Sequence, residues 1–313
     1  MCPTTSAPPE VPTTQRRARK TLFRSFLPWL GLLIAGSTGG PASAADTTGF
    51  SMSYSSYGTT YGISGREPAA AGRYPVYIHI GGTGEPYQSN WSLAAVNTAA
   101  AKGFVAASVQ YDNTSFGDCS VIGSRARAIF DARNIQSAIA QVCSRGKADC
   151  SKGVVTGGLS QGSIISVLAH DYDSRVVASF GQGTGATYTP YYNLGSCIAN
   201  GNHSLPGDRL RIINGERDMF VGGNESIARD SATLVTGLAC PGAQSCGGRN
   251  GSGWYIVKDS EVQDGYADHC FMGYGGYYGT QCTGLLVDSG YLYGNNGWEL
   301  NPTLDWLKSF VQP

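Results

Sequence analysis

The chain is poor in charge: only 14% of its 313 residues are Asp, Glu, Lys or Arg, and 22 acidic side chains balance 22 basic ones. Beyond the N-terminal stretch no basic block occurs, so the electrostatic footprint of a nucleic-acid-binding protein is missing. No apolar run approaches the ~20 residues a helix needs to cross a bilayer. No Cys-x-x-Cys occurs, and the cysteines do not cluster with histidines at zinc-ligand spacing. No repeat with a period of about 20–50 residues is visible, which argues against a solenoid or propeller. Histidine is scarce, with 4 in the chain. Glycine, by contrast, is abundant at 44 residues, yet 41% hydrophobic content argues against a low-complexity chain. The length is ample for a buried core.

The charge that exists is unevenly placed. Residues 1–44 hold Arg16, Arg17, Arg19, Lys20 and Arg24 against one acid, Glu10, leaving the remainder with 17 basic and 21 acidic groups. The basic stretch precedes an apolar run over 26–35 and then Ala42-Ser43-Ala44. That order is an n-region, an h-region and a small-residue cleavage site, so 1–44 reads as an export signal that is removed. The expected compartment is periplasmic or extracellular, with no stable membrane anchor. The eight cysteines left after removal, Cys119, Cys143, Cys150, Cys197, Cys240, Cys246, Cys270 and Cys282, are an even number in an exported chain, which implies disulfides. Eight cysteines allow about 105 pairings. Short loops favour Cys143–Cys150, Cys240–Cys246 and Cys270–Cys282, leaving Cys119 with Cys197.

Along 45–313, apolar runs of strand character alternate with helical patterns. Strands are expected at 74–80, 104–111, 153–156, 176–180, 210–214 and 254–258, rich in β-branched and aromatic residues. Helices are expected at 89–102, 124–142, 163–170, 225–237 and 302–310, with apolar residues at three- and four-residue steps. Alternating polarity over 50–61 suggests an antiparallel edge pair. Strands alternating with helices imply a mostly parallel sheet with helices on both faces, in a single domain. Two Tyr/Gly-rich stretches, near 181–208 and 271–298, interrupt the rhythm as irregular insertions.

Gly158-Leu159-Ser160-Gln161-Gly162 fits G-x-S-x-G. Among so many glycines the pattern alone is weak, and its context decides. The buried strand before it and the helix after it place Ser160 on a strand-to-helix turn that presents its hydroxyl. These residues resemble the α/β-hydrolase fold family, and the likeness covers most of 74–310. His79-Ile80-Gly81-Gly82-Thr83-Gly84 follows an early strand where that family carries an oxyanion loop, with Ile80 as a departure between His and Gly. The resemblance implies an oxyanion hole from the backbone N–H groups of Gly82 or Thr83 and of Gln161. It also implies the chain order Ser, acid, His.

His170 lies ten residues beyond Ser160 along a helix, about 15 Å away. His79 precedes the serine, and His203 precedes the last candidate acid. His269 is therefore the expected base. By resemblance the acid follows the penultimate strand, which points to Asp218, with Glu216 and the more distant Asp264 as runners-up; Asp268 is the immediate neighbour of His269. The implied activity is that of a serine hydrolase cleaving carboxylic esters through an acyl-enzyme, with no metal or organic cofactor. Tyr188, Tyr191 and Tyr274 are expected to flank the cleft. The alternatives are a polyester depolymerase or a polysaccharide-associated acetyl or feruloyl esterase. A non-catalytic secreted binding protein on the same scaffold is a further alternative.

Overall fold

The computed structural model describes residues 46–188, 190–274 and 286–312. The expected leader over 1–44, Cys282 and part of the second insertion lie outside them. The described residues all belong to one compact unit, Ser43–Pro313. Among them no helix is long and apolar enough to cross a membrane.

The first two strands, β1 (Thr47–Ser56) and β2 (Thr59–Pro68), form an antiparallel hairpin. Tyr57 (φ 50°) and Gly58 (φ 80°) both take left-handed conformations in its two-residue loop. That is the loop geometry whose twist matches the flanking strands. The edge pair expected at 50–61 is thus part of a longer hairpin. The chain then alternates β3 (Val76–Ile80), α1 (Asn90–Ala101), β4 (Val105–Val109), α2 (Cys119–Phe130), α3 (Ala138–Cys143), β5 (Val154–Leu159), α4 (Gln161–Leu168) and β6 (Val176–Gln182). A small ribbon, β7 (Thr187–Tyr188) and β8 (Tyr192–Asn193), and the short α5 (Gly195–Ile198) occupy the first insertion. Next come β9 (Leu210–Gly215), α6 (Glu225–Thr236), β10 (Ser245–Gly247) and β11 (Gly253–Val257). The chain closes with the pair β12 (Gly273–Tyr274) and β13 (Leu286–Val287), then α7 (Ser289–Tyr293) and α8 (Leu300–Lys308).

Nine strands share one sheet in the order β1-β2-β4-β3-β5-β6-β9-β11-β10. The six from β4 to β11 run parallel, and the hairpin and β10 add antiparallel edges. Alternate residues of the central strands feed two cores. Val76, Ile78, Ile80, Val154 and Ile212 pack with α2, α3, α4 and α6 on one face. Tyr77, Val155, Phe180 and Ile213 pack with α1 and α8 on the other. Burial on both faces explains why these strands are almost uniformly apolar.

The single helix expected over 124–142 is two helices. Asp131 leaves helical geometry (ψ 98°), and its carboxylate accepts the Arg133 amide. The Asn134 side chain accepts the Gln136 amide, and Ser137 caps α3 by accepting from Ala140. Short polar side chains that bond the nearby backbone compete with the helical ladder, and here they break it. The helical periodicity of the apolar residues resumes after the break and hides it. The first insertion, expected to be irregular, also carries β7, β8 and α5. Among the described residues, disulfides join Cys119 to Cys197, Cys143 to Cys150 and Cys240 to Cys246. These are three of the four expected pairs, and the fourth includes Cys282.

Candidate active site

Ser160 occupies the turn between β5 and α4 with φ 54° and ψ −126°, one of three non-glycine residues at positive φ among those described. Such a backbone costs about 1–3 kcal/mol and persists only where the surroundings impose it. Two glycines permit the turn. A Cβ on Gly158 would strike the Gly162 carbonyl, and one on Gly162 would strike the carbonyls of Ile80 and Gly81. Without side chains there, α4 starts directly against the end of β3. Ser163 Oγ donates to the Ser160 carbonyl at 2.6 Å, and Thr184 Oγ1 donates to Ser163 Oγ at 2.8 Å, fixing the turn from below.

His269 and Asp218 are brought together. The His269 Nδ1–H donates to the Asp218 carboxylate, 2.8 Å from either oxygen, and both side chains are buried. Proton placement on Nδ1 leaves Nε2 as the basic nitrogen. Asp218 Oδ1 also accepts the amides of Phe220 and Val221, which hold the carboxylate in place. The loops bearing the pair touch through Gly215, where a Cβ would collide with the carbonyls of Ala267 and Asp268.

The segment Gln182-Gly183-Thr184 joins this pair to Ser160. Gln182 accepts the Ser160 amide at 2.8 Å. A Cβ on the next residue, Gly183 (φ 58°), would lie 2.8 Å from His269 Nδ1 and Cε1 and 3.2 Å from Asp218 Oδ2. Asn214 holds the segment by accepting from the Thr184 amide and donating to its carbonyl. Ser160, His269 and Asp218 therefore surround one short stretch of backbone at the C-terminal end of β6.

The other candidates are engaged elsewhere. His170 Nδ1–H donates to the Val176 carbonyl, and His203 Nε2–H to the Val235 carbonyl. His79 is fully buried beside the Tyr77 hydroxyl, and burial pushes its pKa down to about 3. Glu216 pairs with Lys258 and accepts the Asp259 amide. Asp264 accepts the Tyr266 amide and Asp268 the Cys270 amide.

The expected oxyanion loop forms a tight turn in which Glu85 donates its amide to the Gly82 carbonyl, with Gly84 at φ 70°. A Cβ on Gly82 would lie 3.1 Å from Ser160 Cβ, so the loop does flank the serine. The Gly82 amide, however, is taken: it donates to Glu85 Oε2 at 2.6 Å. Of the two amides expected in this loop, that leaves Thr83, exposed at the tip of the turn. The Gln161 amide belongs to the first residue of α4, one of the N–H groups a helix start leaves without an intrahelical acceptor.

Several residues that the sequence reading passed over hold this loop. Glu85 accepts from Gly82, Ser89 and Ser92, while burial raises its pKa against those hydrogen bonds. Asn113 donates to the carbonyls of Gly82 and Glu85, 2.7 Å each. A buried relay runs from Arg125 Nη1 to Gln161 Oε1 (2.6 Å), from Gln161 Nε2 to the Tyr111 hydroxyl (3.2 Å), and from that hydroxyl to the Gly81 carbonyl (2.9 Å). It links both backbone segments that flank Ser160. Gln161→Leu is expected to leave Arg125 without its main buried acceptor and to cost about 2 kcal/mol or more. The same change should lower kcat about tenfold or more through misplaced donors, with a smaller change in KM. Denaturant melts and steady-state kinetics check both.

Tyr188 and Tyr191 stand on the β7–β8 ribbon, their ring centroids 4.8 Å apart, with Tyr191 exposed. Tyr274 falls in β12, and its side chain lies outside the described set.

No protein-family model and no curated protein matches the chain. Solved structures do. One is a dienelactone hydrolase-like promiscuous phosphotriesterase from metagenomic libraries, with TM-score 0.52 and 12% identity over 85% of this chain and 99% of that one. Another comes from an analysis of two fungal esterases of Rhizomucor miehei, with TM-score 0.52 and 12% identity over 86% of this chain and 85% of that one. The fold is the α/β-hydrolase fold. At such identities the likeness concerns architecture, and the chemistry rests on the residues above.

Asp268, beside His269 in sequence, carries a measurable electrostatic load. Burial raises its pKa from 3.8 to about 6. A carboxyl whose folded pKa exceeds its unfolded value disfavours folding once ionised; the penalty is absent below about pH 4, grows up to about 6 and is constant above. Asp268→Asn is thus expected to stabilise the protein at pH 8 by on the order of 2 kcal/mol and hardly at pH 4. Urea melts at the two pH values read this directly.

Proposed function

We propose that the protein is an exported serine hydrolase that cleaves carboxylic esters through an acyl-enzyme. Ser160 Oγ attacks the ester carbonyl, and His269 Nε2 takes its proton and later returns it to the leaving alcohol. Asp218 holds the imidazole in the Nδ1–H tautomer and stabilises the cation that forms. The Thr83 and Gln161 amides stabilise the oxyanion, with the start of α4 adding positive backbone potential. Water then repeats the sequence on the acyl-enzyme, releasing the acid. The observation that carries this reading is the strained Ser160 at the β5–α4 turn, one short backbone segment away from the buried His269–Asp218 pair. A binding protein gains nothing from that strain. Steady hydrolysis of p-nitrophenyl acetate by the oxidised protein supports it, and its absence at neutral pH contradicts it.

Export is part of the same proposal. Disulfides among the described residues suit an oxidising compartment, and the expected leader ends at Ala42-Ser43-Ala44. N-terminal sequencing of the exported protein is expected to begin at Ala45; a chain retaining 26–35 contradicts the leader.

A further inference from the structure

A row of aromatic residues, in ring contact except where Tyr192 meets the Phe220 backbone, leaves the candidate base and crosses the surface. Phe220 lies against the His269 ring with centroids 4.7 Å apart. Tyr192 donates its hydroxyl hydrogen to the Phe220 carbonyl. The Tyr192 ring meets Phe116 at 5.1 Å and Tyr188 at 6.2 Å, and Tyr188 meets Tyr191 at 4.8 Å. Three separate segments supply these rings: the loop after β9, the β7–β8 ribbon and the loop before α2. The Cys119–Cys197 disulfide ties the start of α2 to α5, just beyond the ribbon. Much of the run faces solvent, with Phe116 39%, Phe220 53% and Tyr191 73% exposed, and Met219 beside it 48% exposed. Large exposed apolar surface of this kind marks a site of binding. Continuity with His269 makes the occupant part of the substrate.

We propose that this aromatic shelf is the track for an extended ester chain, so that the substrate is an oligomeric or polymeric ester with units lying along the rings beyond the scissile bond. The proposal rests on the serine-esterase reading of the same site. Outer rings spaced 5.1, 6.2 and 4.8 Å apart form a row longer than a single short acyl or alkyl group. The composition of the shelf favours a chain over a lipid surface. Tyrosine covers apolar segments with its ring and offers its hydroxyl to ester carbonyls. Lys and Arg, which draw proteins to anionic lipid, supply none of the shelf residues.

The test is hydrolysis of 3-hydroxybutyrate oligoesters from the methyl ester monomer through dimer to tetramer, with p-nitrophenyl acetate alongside. In the wild type, kcat/KM is expected to rise about tenfold or more from monomer to tetramer, mainly through KM. Phe116→Ala/Tyr191→Ala, checked for an unchanged melting transition, should flatten the tetramer-to-monomer ratio. Tyr191→Phe, which keeps the ring, should retain most of it. Turnover of p-nitrophenyl acetate with a flat length dependence overturns the shelf and leaves the esterase reading standing. So does a length dependence that survives the double variant, or activation by phosphatidylcholine vesicles without any length dependence. Failure to hydrolyse any ester, p-nitrophenyl acetate included, overturns both readings together.

Discussion

Ser160→Ala is expected to reduce ester turnover by about 10⁴-fold or more while leaving the fold intact, because only one oxygen is removed. Some rate above that of water should survive through the oxyanion donors. A second variant separates the backbone from the hydroxyl. Ser160 sits at φ 54°, where glycine is at ease and alanine is not. Ser160→Gly should therefore be as inactive as Ser160→Ala yet more stable than wild type, by up to about 1 kcal/mol. A serine in an ordinary turn would show neither effect. Melting curves and turnover on one short ester suffice to compare the three proteins.

The second large effect belongs to the buried pair. His269→Ala should cost about as much as Ser160→Ala, because the remaining histidines are committed to Tyr77, Val176 and Val235. Asp218→Asn should cost about 10⁴-fold, since an amide in that place favours the wrong imidazole tautomer. Combining His269→Ala with Asp218→Asn should lose little more than either alone, as expected of groups that act as a unit. His203→Ala is the control. An inactive His203→Ala beside an active His269→Ala would move the chemistry into the first insertion.

The parallel sheet could be read from the chain because its strands are buried on both faces and therefore nearly free of polar residues. The strand expected at 153–156 and the helix expected at 163–170 correspond to β5 and α4, and the turn between them carried enough local signal to single out Ser160. The break at Asp131 was hidden, because its cause is a set of local side-chain bonds that leave the apolar periodicity intact. The three residues of β10 are too few to alternate visibly. At the site, Glu85, Tyr111, Asn113, Arg125 and Asn214 were invisible for a different reason. Tyr111, Asn113, Arg125 and Asn214 act on groups far away in sequence, Arg125 and Gln161 being 36 residues apart, while Glu85 reaches near neighbours only through the shape of its turn. None belongs to a motif. The same limit explains why Gly82 was expected to offer its amide: the Glu85 carboxylate that takes it follows from the shape of the turn.

The central claim is that Ser160 is a nucleophile activated by His269 and Asp218. Its most direct measurement is labelling of the folded, oxidised protein with a fluorophosphonate, followed by mass mapping of the modified peptide. One adduct is predicted, on Ser160, absent from Ser160→Ala and strongly slowed in His269→Ala. No adduct on the folded protein, or an adduct on a different residue that persists in Ser160→Ala, would contradict the account.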